Sequence, residues 1–99
     1  MTPRQSQSDF ARCLGKLLVY IDAMGYECTL GDTYPGKYKH SPGGQHPKGL
    51  AIDLNLFKNG VWLKTTEAHA RFGAYWKALG GEWGGDFPGD GNHYQWKEQ

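Results

Sequence analysis

Apolar residues recur every three or four positions in the first quarter of the chain, which is the spacing of one buried helix face. They are Phe10, Leu14, Leu17, Leu18, Ile21 and Met24. Ser6 and Ser8 precede the run as N-cap candidates, and Gly25 follows it as a terminator. The pattern predicts one amphipathic helix, followed by a short strand over residues 26–33.

A period of two replaces the helical period in the middle of the chain. From residue 50 to residue 57 the even positions are aliphatic, whereas Asp53 belongs to the other face. The Asn59-Gly60 pair then predicts a hairpin turn into a returning strand at residues 61–63. Asp53 is therefore expected to point away from the aliphatic side of the sheet.

A second helical pattern follows, with Thr65 or Thr66 as its cap and Gly80 as its end. Its predicted buried stripe consists of Ala68, Phe72, Tyr75, Trp76 and Leu79. The last residues alternate aromatics with glycines and predict a strand around residues 93–96, on which His93 and Gln95 share a face. Two helices and a few antiparallel strands in this order predict an α+β domain, with a small antiparallel sheet packed on the two helices.

The composition limits the classes of function. Ninety-nine residues suffice for one domain, so residues 1–99 are expected to form a single unit. The net charge of +1 gives no field that would select nucleic acid or anionic lipid. The apolar stretch 14–24 is interrupted by Lys16 and Asp22, so neither a signal peptide nor membrane insertion is expected. We expect a monomer made in the cytosol, with no nucleic-acid partner and with Cys13 and Cys28 both reduced.

Four residues carry candidate metal chemistry. A catalytic zinc ion takes about three His or carboxylate ligands and keeps one position open. His46, Asp53 and His93 can supply that set. Asp90, three residues before His93, can serve as a general base that stays off the metal. Spacing alone leaves this open, because a chain of this length with four His produces His-x6-Asp by chance fairly often.

Each of these residues also has an ordinary structural explanation. His46 can be a solvated loop histidine, and Asp90, between two glycines, a turn residue. His93 can be hydrogen-bonded at the sheet surface. Asp53 can cap a turn, although a carboxylate in so apolar a run is unfavourable unless it is paired or metal-bound. The aromatic residues of the tail are expected in the core rather than in a substrate platform; they are Trp83, Phe87, Tyr94 and Trp96.

Two segments resemble the zinc peptidases that cleave peptidoglycan peptides. The segment from His46 to Asp53 fits their His-x-x-Gly-x-Ala-x-Asp signature. The Trp-Gly-Gly-Asp-Phe stretch at residues 83–87, followed by Asp-x-x-His at residues 90–93, is similar to the phage-type members. This family includes D-alanyl-D-alanine carboxypeptidases of the VanY type and phage L-alanyl-D-glutamate endopeptidases. The resemblance covers residues 26–96.

The resemblance implies one zinc ion held by His46, Asp53 and His93 on the open face of the sheet, with Asp90 as the catalytic base. It implies hydrolysis of an amide bond in the peptidoglycan stem peptide by a phage lysis endopeptidase, which waits in the cytosol and acts at the cell wall after release. Within the enzyme class, the alternative is a D,D-carboxypeptidase or dipeptidase. Outside it, the alternatives are a non-catalytic, zinc-stabilised wall-binding module and a protein without any metal.

The chain departs from the family pattern where the substrate would be held. Gly44 stands where members often carry Ser, and no Arg occurs between residues 12 and 71. Lysines of the central loop can supply positive charge, but Lys lacks the bidentate fork of Arg. Gln95 can either orient a metal ligand or bind substrate. His40 can be a substrate contact, an alternative metal ligand or a solvated loop residue. The candidate substrate contacts are Gln95, Lys37 and His40.

Overall fold

The described part of the protein, residues 2–31, 49–86 and 90–97, contains two α-helices and a five-stranded antiparallel sheet in the computed structural model. The elements are α1 (Pro3–Ala23), β1 (Glu27–Leu30), β2 (Ala51–Lys58), β3 (Val61–Leu63), α2 (Thr66–Ala78), β4 (Glu82–Trp83), a 3₁₀ turn (Gly84–Asp86) and β5 (His93–Gln95). The strands are ordered β1-β2-β5-β4, and β3 pairs with β2. The predicted α+β class, with two helices and an antiparallel sheet, is confirmed.

Helix α1 begins at Pro3, ahead of both serines predicted to cap it. Thr2 is the N-cap, and it exchanges side-chain to backbone hydrogen bonds with Gln5 in both directions. This capping box satisfies two donors at the helix start, and proline suits the first turn because it has no N–H to lose. Ser6 is instead fully buried. Gly25 follows the helix with a φ of +84°, as its position predicted.

The β2–β3 hairpin turns at Asn59 and Gly60. Both residues have positive φ, +52° and +77° respectively, which a type I′ turn requires. In β2 the aliphatic residues at even positions are buried, whereas Asp53 lies only partly buried on the other face. The predicted hairpin and the predicted orientation of Asp53 are both confirmed.

One hydrophobic core joins the two helices to the sheet. Its centre is the fully buried ring of Trp76. This ring meets three others edge-on at centroid distances of 5.6 to 6.2 Å, those of Phe10, Tyr94 and Trp96. Trp83, Tyr94 and Trp96 are at most 8% exposed, which confirms their predicted place in the core. Phe87 lies outside the described residues.

The buried face of helix α2 agrees in part with the predicted stripe. Its N-cap is Thr65, one of the two predicted candidates. Phe72 and Trp76 of the predicted stripe are buried, and Tyr75 and Leu79 are partly buried and pack against the core. Ala68 is also partly buried. His69 and Gly73, which the stripe did not include, are buried as well. Periodicity could not reveal these two residues, because their burial depends on partners that lie far away in sequence.

The described residues contain neither a disulfide nor a helix that could span a membrane. Cys13 is buried and Cys28 is partly buried, and both are free thiols, as predicted. Burial raises the pKa of the Cys28 thiol above its ordinary value. No helix in these ranges is long and apolar enough to cross a bilayer.

Candidate metal and catalytic site

Asp53 and His93 lie directly opposite each other on neighbouring strands. Asp53 is on β2, His93 is the first residue of β5, and the two are register partners. The adjacent backbone hydrogen bond runs from Leu54 N to Asn92 O at 2.9 Å, so Asp53 and His93 form a non-hydrogen-bonded pair. In antiparallel sheets such pairs have the shorter Cα separation, about 4.5 Å, and hold their side chains closest together. The sheet therefore places these two side chains next to each other.

The two side chains are spaced so that they can share one cation. His93 Nδ1 lies 3.2 Å from Asp53 Oδ1, and both side chains are partly buried. Two ligand atoms about 2.0–2.2 Å from a tetrahedral zinc ion are about 3.3–3.6 Å apart, so the observed spacing fits two neighbouring corners of a zinc site. An imidazole nitrogen and a carboxylate oxygen are also donors that zinc accepts. Asp53 and His93 therefore fit the ion that the sequence predicts.

His93 has a second partner on the other side of its ring. Its Nε2 lies 2.7 Å from Oε1 of Gln95, which is two residues further along β5 and on the same face. Burial alone lowers the pKa of His93, but the hydrogen bonds with Asp53 and Gln95 and the negative charges of Asp90 and Asp53 outweigh it, so the pKa is raised above 6.5. The contact favours the predicted ligand-orienting role of Gln95 over direct substrate binding.

Asp90 begins a tight turn that ends on His93. The backbone N–H of His93 donates to the carbonyl oxygen of Asp90 at 3.1 Å. The next two carbonyl groups are also held, because Gly91 O accepts from the indole N–H of Trp83 at 2.7 Å and Asn92 O accepts from the backbone of β2. The carboxylate of Asp90 is close enough for its charge to raise the pKa of the His93 imidazole. The turn thus fixes the predicted base beside the predicted ligand.

A glycine in the Trp-Gly-Gly stretch allows a second segment to lie against this turn. A Cβ atom at Gly84 would be 2.3 Å from the carbonyl oxygen of Asp90 and 2.8 Å from the Cβ of His93. Real Cβ atoms are not found at such distances, so only glycine permits this approach of the 3₁₀ turn. The glycine after Trp83 therefore has a structural role in the site.

Three predicted site residues lie outside the described part of the chain. They are His46, Lys37 and His40. Among the described residues, no group of three His, Cys, Asp or Glu side chains is placed to hold a metal ion. Asp53 and His93, two of the three predicted zinc ligands, are brought together by the sheet. The ligand roles of His46, Asp53 and His93 stay predictions, as do the zinc site on the open sheet face and the substrate contacts of Lys37 and His40.

Two polar groups near the site were not predicted from the sequence. His69 of α2 is 2% exposed, and its Nδ1 lies 2.7 Å from the hydroxyl oxygen of Tyr94. Burial lowers the pKa of His69 to about 4, and burial together with the charge of Cys28 raises the pKa of Tyr94. Glu82 of β4 accepts a 3.0 Å hydrogen bond from the side chain of Gln95. No local signal marks His69 or Glu82, since each depends on a partner distant in the chain.

A small cavity lies next to the turn that precedes β5, and neither Asp53 nor His93 lines it. Its lining includes the immediate sequence neighbours of the pair, Leu54 and Asn92, together with His69 and Lys64. Its volume is about 180 Å³, which is below the roughly 300–1,000 Å³ of clefts that enclose drug-sized ligands. Because adjacent residues of a strand point to opposite faces of the sheet, Leu54 lines this cavity from the face opposite Asp53.

One family model matches the part of the chain that carries the candidate site. The family model described as D-alanyl-D-alanine carboxypeptidase, of the M15 peptidases, matches residues 39–96, which is more than half of the chain and includes Asp53, Asp90 and His93. The protein therefore belongs to this family of metallopeptidases, which hydrolyse peptidoglycan and are typically zinc-dependent. No curated protein matched the chain. The predicted family and the predicted enzyme class are confirmed.

Proposed function

We propose that the protein is a zinc-dependent endopeptidase that cleaves the L-alanyl-D-glutamate bond of the peptidoglycan stem peptide. The observation that carries the metal part of this proposal is the 3.2 Å contact between His93 Nδ1 and Asp53 Oδ1 across β5 and β2. In the proposal His46 completes the ligand set, and a fourth position is left for water and substrate. Asp90 is the general base.

In the proposed mechanism Asp90 carries out the proton transfers. When bound, zinc polarises the scissile carbonyl and lowers the pKa of water toward about 7. The carboxylate of Asp90 accepts one proton from the attacking water and delivers one to the leaving amine as the peptide C–N bond breaks. Its exposed position, in a turn closed by the His93 N–H, supports this role because a base must reach the substrate while staying off the metal.

The distribution of arginines favours an endopeptidase. A D,D-carboxypeptidase binds a free C-terminal carboxylate, for which the bidentate guanidinium of Arg is the best partner. The sequence has no Arg between residues 12 and 71, and an enzyme that cuts inside the stem peptide does not need one there. The second candidate is a D,D-carboxypeptidase or dipeptidase, which the description of the family model supports.

Mass spectrometry of purified peptidoglycan fragments incubated with the zinc-loaded protein tests the proposal. We expect peptide fragments with a new amino terminus on D-glutamate. The glycan fragments should keep only the L-alanine residue of their stem peptides. Release of the terminal D-alanine alone would instead support the carboxypeptidase. If no fragment acquires a new terminus although the protein has bound zinc, the proposed hydrolysis of stem peptides is wrong.

The proposal includes action as a phage lysis enzyme at the cell wall after release from the cytosol. It is supported by the similarity of residues 83–93 to the phage-type pattern. Adding the protein to intact and to permeabilised bacteria tests this part, with the turbidity of the suspension as the measurement. We expect lysis where the wall is accessible, and no lysis in either suspension would contradict it.

A further inference from the structure

Three side chains form a hydrogen-bonded chain on the side of the His93 ring that faces away from Asp53. His93 Nε2 lies 2.7 Å from Gln95 Oε1, and Gln95 Nε2 lies 3.0 Å from Glu82 Oε1. Gln95 follows His93 on one face of β5, and Glu82 is the register partner of Gln95 on β4. The other carboxylate oxygen of Glu82 lies 3.7 Å from Nζ of Lys97. These hydrogen bonds thus connect His93, a predicted metal ligand, to the carboxylate of Glu82, which lies two strands away from Asp53.

The chemistry of Glu82 fixes the direction of both hydrogen bonds. A carboxylate only accepts, so the side-chain amide of Gln95 must turn its NH₂ group toward Glu82. Its carbonyl oxygen then faces His93, and this oxygen also only accepts. His93 must therefore carry a proton on Nε2. Its Nδ1 faces the Asp53 carboxylate, which also only accepts, so this nitrogen carries a proton as well while no ion is bound. A metal ion held between Asp53 and Nδ1 would replace that proton, while the proton on Nε2 stays.

One buried indole holds the backbone of both Glu82 and Gln95. Trp76 is fully buried, and its Nε1–H donates to the carbonyl oxygens of Glu82 at 3.1 Å and of Gln95 at 2.9 Å. A Cβ atom at Gly81 would lie 2.1 Å from the same indole nitrogen, so glycine is needed where β4 approaches the ring. The contact between Glu82 and Gln95 is therefore set by the protein core.

From this arrangement we infer that Glu82 and Gln95 are positioning residues for His93. Glu82 orients the amide of Gln95, and Gln95 fixes the ring orientation and tautomer in which His93 Nδ1 binds zinc. Neither residue needs to touch the ion or the substrate. Hydrogen-bond partners of metal-binding histidines typically contribute about 10- to 100-fold to metal affinity. The inference rests on the proposed role of His93 as a zinc ligand.

Zinc affinity of the full chain, measured by competition with a chelator, tests the inference. Gln95→Met removes the acceptor at similar side-chain length, and we expect the Kd for zinc to rise about tenfold or more. Glu82→Gln keeps the volume but allows the two amides to pair in either direction. We expect it to raise the Kd by a smaller factor, about three- to tenfold.

A double-mutant cycle separates orientation from the effect of charge alone. If Glu82 acts only through Gln95, Glu82→Gln causes no further loss of zinc affinity in the Gln95→Met background. If Glu82 acts merely as a nearby negative charge, its substitution has the same effect in both backgrounds, which would overturn the inference. Asp86→Asn is the matched control, because it removes one carboxylate that pairs with Lys77 instead. Its Kd should equal that of the wild type.

NMR spectra of the histidine side chains in the zinc-loaded protein give a second readout. We expect the His93 proton on Nε2, exchanging with water more slowly in the wild type than in Gln95→Met. A proton on Nδ1, or equal exchange in both proteins, contradicts the inference. Failure of the proposed function gives a different result, in which a folded His93→Ala variant binds zinc as well as the wild type.

Discussion

At the scale of the residue, Asp90 combines a fixed backbone with an accessible side chain. Its carbonyl oxygen accepts the hydrogen bond from the N–H of His93 that closes the turn. The residue is nevertheless exposed, and its charge reaches the His93 imidazole. A general base needs this combination, because it must stay within reach of a proton without becoming a ligand.

Asp90→Asn should remove hydrolysis while it leaves the metal site intact. The amide has nearly the same shape but cannot accept a proton from water, so we expect kcat to fall by about 10²- to 10⁴-fold. Zinc content and melting temperature should match the wild type. The rate of fragment cleavage and the zinc content of the purified protein are the two measurements. Retention of full activity would show that Asp90 is not the base.

Asp53 shows how far a single residue can be interpreted from its neighbours in sequence. A carboxylate in a strongly apolar strand is costly to bury without a partner, so a paired or metal-binding role was predictable. The structure provides such a partner in His93. The contribution of Glu82 could not be predicted, because its contact with Gln95 exists only after β4 and β5 have paired.

At the scale of the element, α2 is packed against β4 through a contact that only glycine permits. A Cβ atom at Gly73 would lie 2.2 Å from the indole ring of Trp83. The same indole donates to the carbonyl oxygen of Gly91, in the turn that holds Asp90. The position of the helix is therefore linked to the geometry of the candidate site.

Gly73→Ala and Gly15→Ala form a matched pair that tests this packing. Both glycines lie inside helices, where alanine is intrinsically better by about 1 kcal/mol. Gly15 has no atom within 4 Å of an added Cβ, so we expect Gly15→Ala to raise the free energy of unfolding by up to about 1 kcal/mol. Gly73→Ala should lower it by about 1–3 kcal/mol because the added methyl group overlaps the indole. Urea unfolding measures both, and equal effects would refute the packing argument.

The longer elements could be predicted from the sequence, and the shortest could not. The eight-residue strand β2 and the Asn59-Gly60 turn carry clear period-two and turn signals. Strand β4 has only two residues, too few for any alternation, and forms because it pairs with β5. The start of α1 was misplaced because Thr2 and Gln5 cap it ahead of the first apolar residue of the pattern.

At the scale of the whole molecule, the buried His69–Tyr94 pair links stability to pH. The imidazole of His69 is fully enclosed and stays neutral because burial lowers its pKa to about 4, against 6.5 in the unfolded chain. Between these two pH values the unfolded chain binds a proton that the folded protein does not. The free energy of unfolding therefore falls as the pH is lowered from 6.5 toward 4, and His69 makes no such contribution above that window.

Comparison of the wild type with His69→Gln isolates this effect. We expect the metal-free wild type to lose roughly 1–3 kcal/mol more of its free energy of unfolding between pH 7 and pH 4.5 than the variant does. The other titratable groups are the same in both proteins, so their contributions to the pH dependence cancel in the difference. Urea unfolding at the two pH values provides the measurement. Equal losses of the free energy of unfolding in the two proteins would mean that His69 does not stay neutral in the folded state.

Zinc should stabilise the whole fold, because two of its proposed ligands, Asp53 and His93, come from separate strands. At a free zinc concentration of about 100 times the Kd, binding to the native state alone adds about 2.7 kcal/mol to the free energy of unfolding. We expect the melting temperature to rise with zinc in the wild type and much less in Asp53→Asn. If zinc raises the melting temperature of both proteins by the same amount, the ion binds at a site that does not include Asp53.

The position of the bound ion can be measured directly in crystals of the zinc-loaded protein, by anomalous scattering at the zinc absorption edge. We predict one peak about 2.0–2.2 Å from both Asp53 Oδ1 and His93 Nδ1, with a nitrogen of His46 as the third protein ligand. A single peak bound to other side chains, with Asp53 and His93 still joined only by their hydrogen bond, would contradict the proposed metal centre.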